Sequence, residues 1–549
     1  MPLNRRELLT LFLGTPAVLW GCRQSASKLP PLPPGDLIGA SVETGHILRE
    51  RKSFEIPGDK WEKKRIVIVG GGMAGLSAAR RLQRDGVTDF EILELEPRIG
   101  GTACSGSSRR IGYPWGAHYV PAPTKENPAL VELFTEMEVF EGTDQQGDPV
   151  VAEQFRVRDP EERIFYKGFW HEGLYLNSGA TPDDLHQLDL FEKEIDRWIA
   201  WKDAKGRRAF AVPMSLASDD PTVTELDKIT MAEWMDRHNF HSPRLRWLVN
   251  YACRDDHGMT MRNTSAWAGL FYFAARVRNP GEDSRPFITW PEGNGRIVKH
   301  LKKKVAVNVS TGWMVTDLIP KGDEKNSKVD VVAVSHDGKT VRGIHAEKVI
   351  FAAPHFLTPY VIQPWRENPP EHVSDFGYSV WAVANLFLSK NPTANGYPMC
   401  WDNVLYESPS LGYVSAGFQR GIDFDETVLT YYYPLCEDDP STARKKLLQN
   451  GRDEWAEIAL ADLSLPHRDI RTLTEKLDVM RWGHAMIQSR PGFIWGESRK
   501  KASLPYRGIH FAHSDLSGLP LFEEAFYRGN KAADEVLREL AVESEQSAL

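Results

Sequence analysis

Cysteine is scarce in this chain, with five residues in 549. Cys22, Cys104, Cys253, Cys400 and Cys436 show no paired spacing and no Cys/His pattern of the kind that binds a metal. The sequence therefore predicts no metal site. Buried free thiols are the expected state of the last four, although a disulfide in an oxidising compartment is not excluded by their number.

An excess of basic residues is also missing. Lys and Arg number 67 against 75 Asp and Glu, which gives a formal net charge of −8. A nucleic-acid-binding protein needs a basic surface, so no nucleic-acid partner is expected. The length and the 41% apolar content are typical of a globular protein with more than one hydrophobic core.

The amino terminus carries an apolar stretch, residues 8–20, that is too short for a mature membrane-spanning helix. It follows Arg5-Arg6, and this order predicts a signal peptide over residues 1–22. Residues 4–9 resemble a twin-arginine export signal, which implies the twin-arginine export machinery as a partner and a periplasmic location. That route carries folded proteins.

Residues 19–22 are similar to a bacterial lipoprotein box, which implies a lipid anchor on Cys22. An uncleaved anchor helix is the alternative. Residues 23–63 are expected to form a linker, because residues 25–35 are rich in proline and typical of an extended tether.

Residues 64–101 predict a strand, a glycine turn and a helix in succession. The β-branched run 65–69 is typical of a buried strand, and it leads into a glycine-rich turn. Gly70 would make the tight turn, Gly72 would let the backbone approach a pyrophosphate, and Gly75 would let the helix pack close to the strand. Met73 and Ala74, at the start of the helix, would offer free N–H groups to the phosphates.

A second strand over 90–93 ends at Glu94, about twenty positions past the glycines, where dinucleotide folds hydrogen-bond a ribose. Strand, helix and acid in register predict a dinucleotide site. An ordinary glycine-rich turn is the alternative.

The continuation after Glu94 resembles the flavin amine oxidase and phytoene desaturase superfamily, whose acid, Arg and Gly-Gly pattern matches Glu94, Arg98, Gly100 and Gly101. The resemblance implies FAD as a resident cofactor. It also implies an α/β fold: a discontinuous, Rossmann-like FAD-binding domain with a parallel sheet, plus an inserted α+β substrate or cap domain.

The resemblance divides the chain into segments. These are a signal peptide (1–22), a linker (23–63), the FAD-binding domain in three parts (64–125, 286–358 and 481–540), the substrate or cap domain in two parts (126–285 and 359–480), and a tail (541–549).

Three residues outside the glycine stretch are implied to contact FAD by the same resemblance. Val315 stands where the family's backbone contacts the adenine, and Asp515 and Glu524 lie in what looks like the final FAD segment. That segment departs from the family, because His513-Ser514 replaces the usual glycine and acid.

Two histidines allow two interpretations each. His118 follows Gly116-Ala117, a segment that the resemblance brings near the flavin; it would face the active site or, more simply, order a turn. Residues 254–258, with His257 and Gly258 last, form a polar cluster that would line a substrate entrance or close a helix.

The catalytic residues implied by the resemblance are aromatic. Trp482 belongs to the approach to the flavin, and Phe493 and Phe522 would form a cage that desolvates an amine beside flavin N5. No lysine occurs from position 373 to 389, where flavin amine oxidases usually place one, and Asn385 is expected to be a structural hydrogen-bonder instead. No cysteine follows Cys436, so covalent attachment of FAD through cysteine is not expected.

The sequence thus predicts an FAD-dependent oxidoreductase that transfers a hydride from a carbon next to nitrogen, in a polyamine, amine or amino acid, to flavin N5, with oxygen or a quinone as electron acceptor. Two alternatives stay open. One is a phytoene-desaturase-like enzyme that desaturates or isomerises C–C bonds of an apolar substrate, and the other is a flavin-binding envelope protein without turnover.

Overall fold

The computed structural model describes residues 30–50, 54–323, 327–421 and 425–548. The predicted signal peptide and Cys22 lie outside these residues. No helix within the described ranges is long and apolar enough to cross a membrane.

The strands, in chain order, are β1 (Leu37–Gly39), β2 (Trp61–Val69), β3 (Phe90–Glu94), β4 (Ser105–Ser107), β5 (Gly112–Pro114), β6 (Tyr119–Pro121), β7 (Phe140–Thr143), β8 (Pro149–Val151), β9 (Glu162–Tyr166), β10 (Phe169–Glu172), β11 (Phe287–Thr289), β12 (Val309–Thr311), β13 (Trp313–Lys321), β14 (Lys328–Ser335), β15 (Val341–Phe351), β16 (Tyr378–Leu388), β17 (Asp402–Leu405), β18 (Gly412–Ser415), β19 (Thr427–Pro434), β20 (Thr474–Ile487) and β21 (Ile509–Phe511).

The α-helices are α1 (Val42–Arg49), α2 (Met73–Arg84), α3 (Pro128–Glu136), α4 (Pro182–Ala200), α5 (Pro221–Thr224), α6 (Met231–Arg237), α7 (Pro243–His257), α8 (Ala266–Ala274), α9 (Gly295–Val305), α10 (Thr358–Val361), α11 (Ala416–Gln419), α12 (Pro440–Gln449), α13 (Arg452–Leu463), α14 (Ile470–Leu473), α15 (Glu497–Ala502) and α16 (Phe522–Ala548).

The first large sheet has the order β12-β3-β2-β15, and β15 is then flanked by β21 and by the antiparallel arm β14-β13. The pairs β12/β3, β3/β2, β2/β15 and β15/β21 are parallel. Ile66 and Ile68 face the helices α2 and α16, whereas Val67 and Val69 face the opposite cluster, as period-two alternation requires. Strands from three separate parts of the chain share this sheet, which confirms the α/β class and the discontinuous cofactor domain.

The second large sheet has the order β1-β20-β16-β19-β18-β17-β9-β10 and is mostly antiparallel. Along β16, Ala384 and Leu386 face a cluster formed with α12 and α13, while Trp381 and Val383 face the cluster that contains Trp115. The helices α4 to α8 form a separate aromatic-rich layer. This second domain has one face towards the cofactor segments.

Residues 30–50 of the expected linker (23–63) contact the folded domains. β1 pairs in parallel with β20, Arg452 donates to the carbonyl oxygen of Pro33, and the Leu477 N–H donates to the carbonyl oxygen of Pro34 at 2.9 Å. The proline-rich run is extended, as its composition predicts, but a neighbouring strand lies beside it and satisfies its carbonyl groups.

Other boundaries also differ from the sequence-based ones. Within the expected second cofactor-domain part that begins at 286, helix α9 extends to Val305 and a single 3-10 turn separates it from β12. β20 crosses the expected boundary at 480, because it pairs with β16 in the second sheet as far as Ile487. Helix α3 lies within the expected cap segment, yet Leu133 and Phe134 join the cofactor-domain core.

Candidate functional site

The glycine turn leaves an open space in front of a helix. Gly70 has φ +102°, and its N–H donates to the carbonyl oxygen of Leu93 at 2.9 Å. A Cβ on Gly75 would collide with the carbonyl oxygen of Gly70, whereas a Cβ on Gly72 would meet nothing within 4 Å. No side chain caps helix α2 at Gly72, so the N–H groups of its first turn, at Met73 and Ala74, face this space. The geometry fits a bound pyrophosphate.

Glu94 ends β3 beside that turn. Its Oε2 accepts from the N–H of Gly71 at 2.7 Å, and its Oε1 accepts from the N–H of Glu96 at 2.8 Å. Burial raises the pKa of Glu94 against these backbone bonds, which lower it. The two N–H donors fix the carboxyl group at the position where dinucleotide folds bind a ribose.

The Gly-Gly pair continues the same surface. The N–H of Gly100 donates to the carbonyl oxygen of Gly71 at 2.9 Å, and Gly100 has φ +119°. A Cβ on Gly101 would lie 3.5 Å from the Cα of Gly72, so the two exposed backbone segments adjoin. Arg98 is exposed at the edge of this surface.

The surface leads on to the second domain. Thr102 accepts a backbone hydrogen bond from Ala117 at 3.0 Å, and a Cβ on Gly116 would collide with the same Thr102 carbonyl oxygen. The residues after Ala117 therefore begin directly beside Gly101. Backbone contacts thus connect the open end of α2 to His118.

Aromatic rings surround His118. Its imidazole stacks on Tyr432 with centroids 4.9 Å apart and lies 5.3 Å from the ring of Trp401. Its Nδ1 is 3.3 Å from the carbonyl oxygen of Gly116, so it also orders the turn. Burial lowers the pKa of His118 to about 4, and the ring is neutral at pH 7. The two interpretations of this histidine are therefore compatible.

Carboxyl groups lie among these rings. Glu162 on β9 and Asp402 on β17 are register partners in a parallel pair, so their side chains are adjacent on one face of the sheet. Asp255, near the end of α7, interacts electrostatically with Asp402. Each of the three is partly accessible although protein surrounds it, and we infer from this that they line an internal space.

We call this space the carboxylate chamber. Its walls are His118, Tyr119, Glu162, Asp255, Tyr272, Asp402 and Tyr432.

The chamber is strongly acidic. Burial and then neighbouring carboxylates raise the pKa of Glu162 to about 8, and burial raises that of Asp402 to about 7. The hydroxyl of Tyr251 donates to Asp402 Oδ2 at 3.0 Å. Within the described part of the chain, no salt bridge joins Glu162, Asp255 or Asp402 to a lysine or arginine. The carboxyl groups therefore repel one another unless protons or a bound cation compensate them.

A buried ion pair forms the wall towards a second cavity. Arg276 donates to both oxygens of Asp256, at 2.9 and 2.7 Å, and its guanidinium lies over Tyr119 and Tyr272. Arg276 also lines a cavity of about 290 Å³. Glu523, at the start of α16, lines that cavity too, and burial raises its pKa to about 7.

The aromatic residues expected at the catalytic centre are dispersed. Trp482 lies near the chamber, because its Nε1 donates to the carbonyl oxygen of Trp115 at 2.7 Å. Phe493 packs edge-on against Phe376, with centroids 5.0 Å apart, whereas Phe522 stacks on Phe134 and Phe526. Phe493 and Phe522 belong to different hydrophobic clusters. The structure does not bring them together as one cage, and the rings around His118 occur in their place.

Asp515 is held at the carboxyl edge of the cofactor sheet. Its Oδ2 accepts from the Tyr378 hydroxyl at 2.5 Å and the His355 N–H at 3.0 Å, and Nδ1 of His513 lies 2.8 Å from its Oδ1. Burial raises the pKa of Asp515, but His513 and the hydrogen bonds hold it below its usual value overall. The carboxylate fixes this edge through neighbouring side chains.

Glu524 and Val315 are both buried. Oε1 of Glu524 accepts from the N–H of Met214 at 2.5 Å, in the cap. This contact joins α16 to the cap, and the contact of Glu524 with FAD stays a prediction. Val315 is buried in the hydrophobic cluster that contains Val69 and Leu93, on the side of the glycine turn where the adenosine of FAD is expected.

Three further expectations can be compared with the structure. Asn385 is a structural hydrogen-bonder, since it donates to the carbonyl oxygen of Pro114 at 3.0 Å and accepts from Thr430 at 2.7 Å. His257 and Gly258, with φ +59°, close helix α7 as the simpler interpretation predicted. Cys104, Cys253, Cys400 and Cys436 are free and buried.

Sequence reasoning missed several chamber residues, namely Glu162, Tyr272, Arg276, Asp402 and Tyr432. Only Asp255 and Asp256 belonged to a segment that stood out. The register of β9 with β17 is a long-range property, and no local pattern indicates it.

Comparison with known proteins supports the same cofactor. A model of the family described as flavin containing amine oxidoreductase matches residues 73–379, more than half of the chain. Oxidoreductase PigB of Serratia sp. is 22% identical over 89% of this chain and 77% of its own length. Polyamine oxidase 1 of Zea mays is 43% identical, but over 24% of this chain and 22% of its own.

A structure of putrescine oxidase bound to putrescine shares the fold. The TM-score is 0.63 at 14% identity, over 87% of this chain and 100% of the other. The open glycine turn fits the FAD that the family binds. The chain therefore belongs to the flavin containing amine oxidoreductase family and is an FAD-dependent oxidoreductase.

Proposed function

We propose that the protein oxidises a C–N bond in an aliphatic amine with at least two cationic nitrogens, a diamine or polyamine. The observation that carries this proposal is the carboxylate chamber at the end of the backbone path from the glycine turn. Glu162, Asp255 and Asp402 are enclosed there without a salt bridge to a lysine or arginine in the described chain, and Arg276, paired with Asp256, acts only electrostatically on Asp255.

Charge argues for a dication. Desolvated carboxylates are costly unless opposite charge compensates them, and a monoamine whose nitrogen becomes neutral for oxidation would supply no charge at all. A substrate with a second nitrogen keeps one ammonium group for the carboxyl groups while the other nitrogen reacts. An apolar substrate such as a carotenoid would leave them all unpaired, which disfavours the desaturase alternative.

The rings of the chamber suit the same substrate. Tyr432, Trp401 and Tyr119 present aromatic faces around a neutral His118, and such faces attract alkylammonium groups and pack against methylene chains. The reacting nitrogen must lose its charge before oxidation, and an apolar aromatic environment favours the neutral amine. We place the oxidised C–N bond at this aromatic side of the chamber and the second ammonium at the carboxyl groups.

FAD, when bound, would accept the hydride from the carbon next to nitrogen. The chain's own residues would bind and orient the amine and exclude water. We further propose oxygen or a quinone as the final acceptor. The absence of a lysine over residues 373–389 makes a quinone the acceptor to test first.

The test is anaerobic reduction of the bound flavin by matched compounds, followed by its absorbance. Putrescine or spermidine should bleach the flavin, and n-butylamine, which lacks the second charge, should do so far more slowly at equal concentration. Bleaching by a carotenoid or lipid alone would replace this proposal with desaturation. Failure of every donor would favour the non-catalytic alternative.

We also propose export by the twin-arginine route, with a lipid anchor on Cys22. The support is the order of residues 4–22, with Arg5-Arg6 before the apolar stretch. Cell fractionation of the native chain and of the Arg5→Lys/Arg6→Lys variant tests the route. Metabolic labelling with a fatty acid, compared between native and Cys22→Ser chains, tests the anchor.

A further inference from the structure

The segment of residues 36–50, which we call the N-terminal strap, contacts both domains. At its start, β1 pairs with β20, and the N–H of Asp36 donates to Asp478 Oδ1 at 2.8 Å. At its end, α1 lies on the cofactor domain, where Leu48 is buried in the cluster that contains Leu93 and Val315. The strap therefore contacts the second large sheet through β20 and the first large sheet through the cluster that contains Leu93.

The centre of the strap makes a two-ended bond to the cofactor domain. The backbone N–H of Ser41 donates to Oε1 of Glu96 at 2.8 Å, and its hydroxyl donates to Oε2 of the same carboxylate at 2.9 Å. Hydrogen bonds to a carboxylate are among the stronger ones in proteins. Ser41 thus holds both oxygens of Glu96.

Glu96 in turn contacts Glu94, the acidic residue at the position where dinucleotide folds bind a ribose. Its N–H donates to Oε1 of Glu94 at 2.8 Å, and Oε2 of Glu94 accepts from the N–H of Gly71 at 2.7 Å. A continuous chain of hydrogen bonds therefore runs from Ser41 through Glu96 and Glu94 to the glycine turn. The charge of Glu96 also acts on Glu94, so the placement of one carboxylate affects the other.

The strap also contacts the turn between β14 and β15, beside the place where the adenosine of FAD is expected. The Ser41 hydroxyl lies 3.2 Å from Nε2 of His336, and the Thr44 hydroxyl donates to the His336 carbonyl oxygen at 3.4 Å. The N–H of His336 donates to Gly312 at 2.8 Å, next to the start of β13. The strap, the β14–β15 turn and the loop after Glu94 thus meet at one place.

We propose that the N-terminal strap retains FAD by its adenosine end, with Ser41 and Glu96 as positioning residues for Glu94. The strap binds the folded cofactor site from outside and fixes the carboxyl group that holds the ribose. Because anything that stabilises the FAD-binding conformation slows loss of FAD, detachment of the strap speeds FAD release.

The test uses the full-length FAD-loaded protein and measures FAD release by the rise in free-flavin fluorescence. Ser41→Ala removes one of the two bonds to Glu96, and Ser41→Thr keeps the hydroxyl. Gly35→Ala detaches the strap at its other end, because a Cβ there would collide with the Leu477 carbonyl oxygen, far from Glu96. Ser374→Ala is the matched control, since its hydroxyl bonds only within its own turn, to Glu371.

Release should be on the order of tenfold faster in Ser41→Ala and in Gly35→Ala, because a bond to a charged group is lost or its segment is freed. Ser41→Thr and Ser374→Ala should release FAD at the native rate. The melting temperature should fall less in the FAD-free protein than in the FAD-loaded protein when Ser41→Ala is compared with the native chain. Native-rate release from Ser41→Ala, or equal destabilisation of the FAD-free and FAD-loaded protein, would overturn the proposal.

Discussion

The glycine turn at residues 70–75 and the carboxylate chamber beside His118 are built from different parts of the chain. Backbone groups make the turn, and its hydrogen bonds lie within residues 70–101, while Ala352 and Gly529 pack against it. Side chains make the chamber, and they come from β6, β9, α7, α8, β17 and β19. A site formed by backbone groups accepts few residue types, because added side chains block the backbone. A site formed by side chains can bind a different ligand when those side chains are substituted. We therefore expect the turn to define the cofactor and the chamber to define the substrate.

The largest expected effect concerns the turn. Gly75→Ala places a methyl group against the carbonyl oxygen of Gly70, so helix α2 must move away from the phosphate space. FAD affinity should fall by about 100-fold, equivalent to about 3 kcal/mol. The measurement is bound flavin per protein, with Gly142→Ala as control, because a Cβ there meets nothing within 4 Å. Native flavin content in Gly75→Ala would show that the turn does not define the cofactor site.

A smaller effect is expected in the chamber. Asp402→Asn removes one carboxylate while keeping the acceptor of the Tyr251 hydroxyl bond. The Michaelis constant for putrescine should rise about 10- to 100-fold, as for loss of a charge-assisted bond, with FAD content unchanged. Steady-state kinetics check this, and Asp189→Asn, at an exposed surface salt bridge, is the control. If Asp402→Asn lost FAD and kept its substrate affinity, the carboxylate chamber would act on the cofactor, and the proposed division between chamber and glycine turn would be wrong.

Acidity should weaken the chamber but not the turn. The pKa values of Glu162 and Asp402, about 8 and about 7, mean that Glu162 gains its proton around pH 8 and Asp402 around pH 7, so both are mostly protonated at pH 6. Protonated carboxyl groups no longer attract a cation, so dication binding should weaken on the order of tenfold from pH 8 to pH 6. A bis-quaternary diammonium inhibitor, whose charges do not titrate, isolates the protein's contribution. Inhibition independent of pH would mean that the carboxyl groups do not bind the cation.

The smallest expected effect lies in the cofactor domain, away from both sites. Burial lowers the pKa of His510, but Glu535 and Glu539 raise it above the ordinary value overall. Stability from this charged group is complete below the unfolded pKa and is lost as the pH rises through the folded pKa. His510→Gln should therefore reduce the free energy of unfolding by about 0.5–1 kcal/mol more at pH 6 than at pH 8.5. Urea unfolding at both pH values measures it, and Glu535→Gln/Glu539→Gln should remove the difference.

The sequence was informative where function depends on local backbone. Gly70, Gly72, Gly75 and Glu94 lie within one short segment whose spacing follows from strand and helix geometry. The helix end at Gly258 is local for the same reason. Such features need no knowledge of which strands pair.

The chamber could not be predicted in this way. Glu162 and Asp402 meet only because β9 pairs with β17, and Arg276 finds Asp256 through packing of α7 on α8. The N-terminal strap lies in the segment expected to be a linker (23–63), because no local pattern shows that β1 pairs with β20. Phe493 and Phe522 were paired by resemblance, and their separation follows from opposite faces of the cofactor sheet.

The most direct test of the central claim combines substrate and protein changes in one cycle. The second-order rate constant for anaerobic flavin reduction is measured for putrescine and n-butylamine with the native protein and with Glu162→Gln. Our account predicts that the native protein prefers putrescine and that the preference falls about tenfold in the variant, because its second ammonium loses a partner. An equal preference in both proteins, or a native preference for n-butylamine, would contradict it.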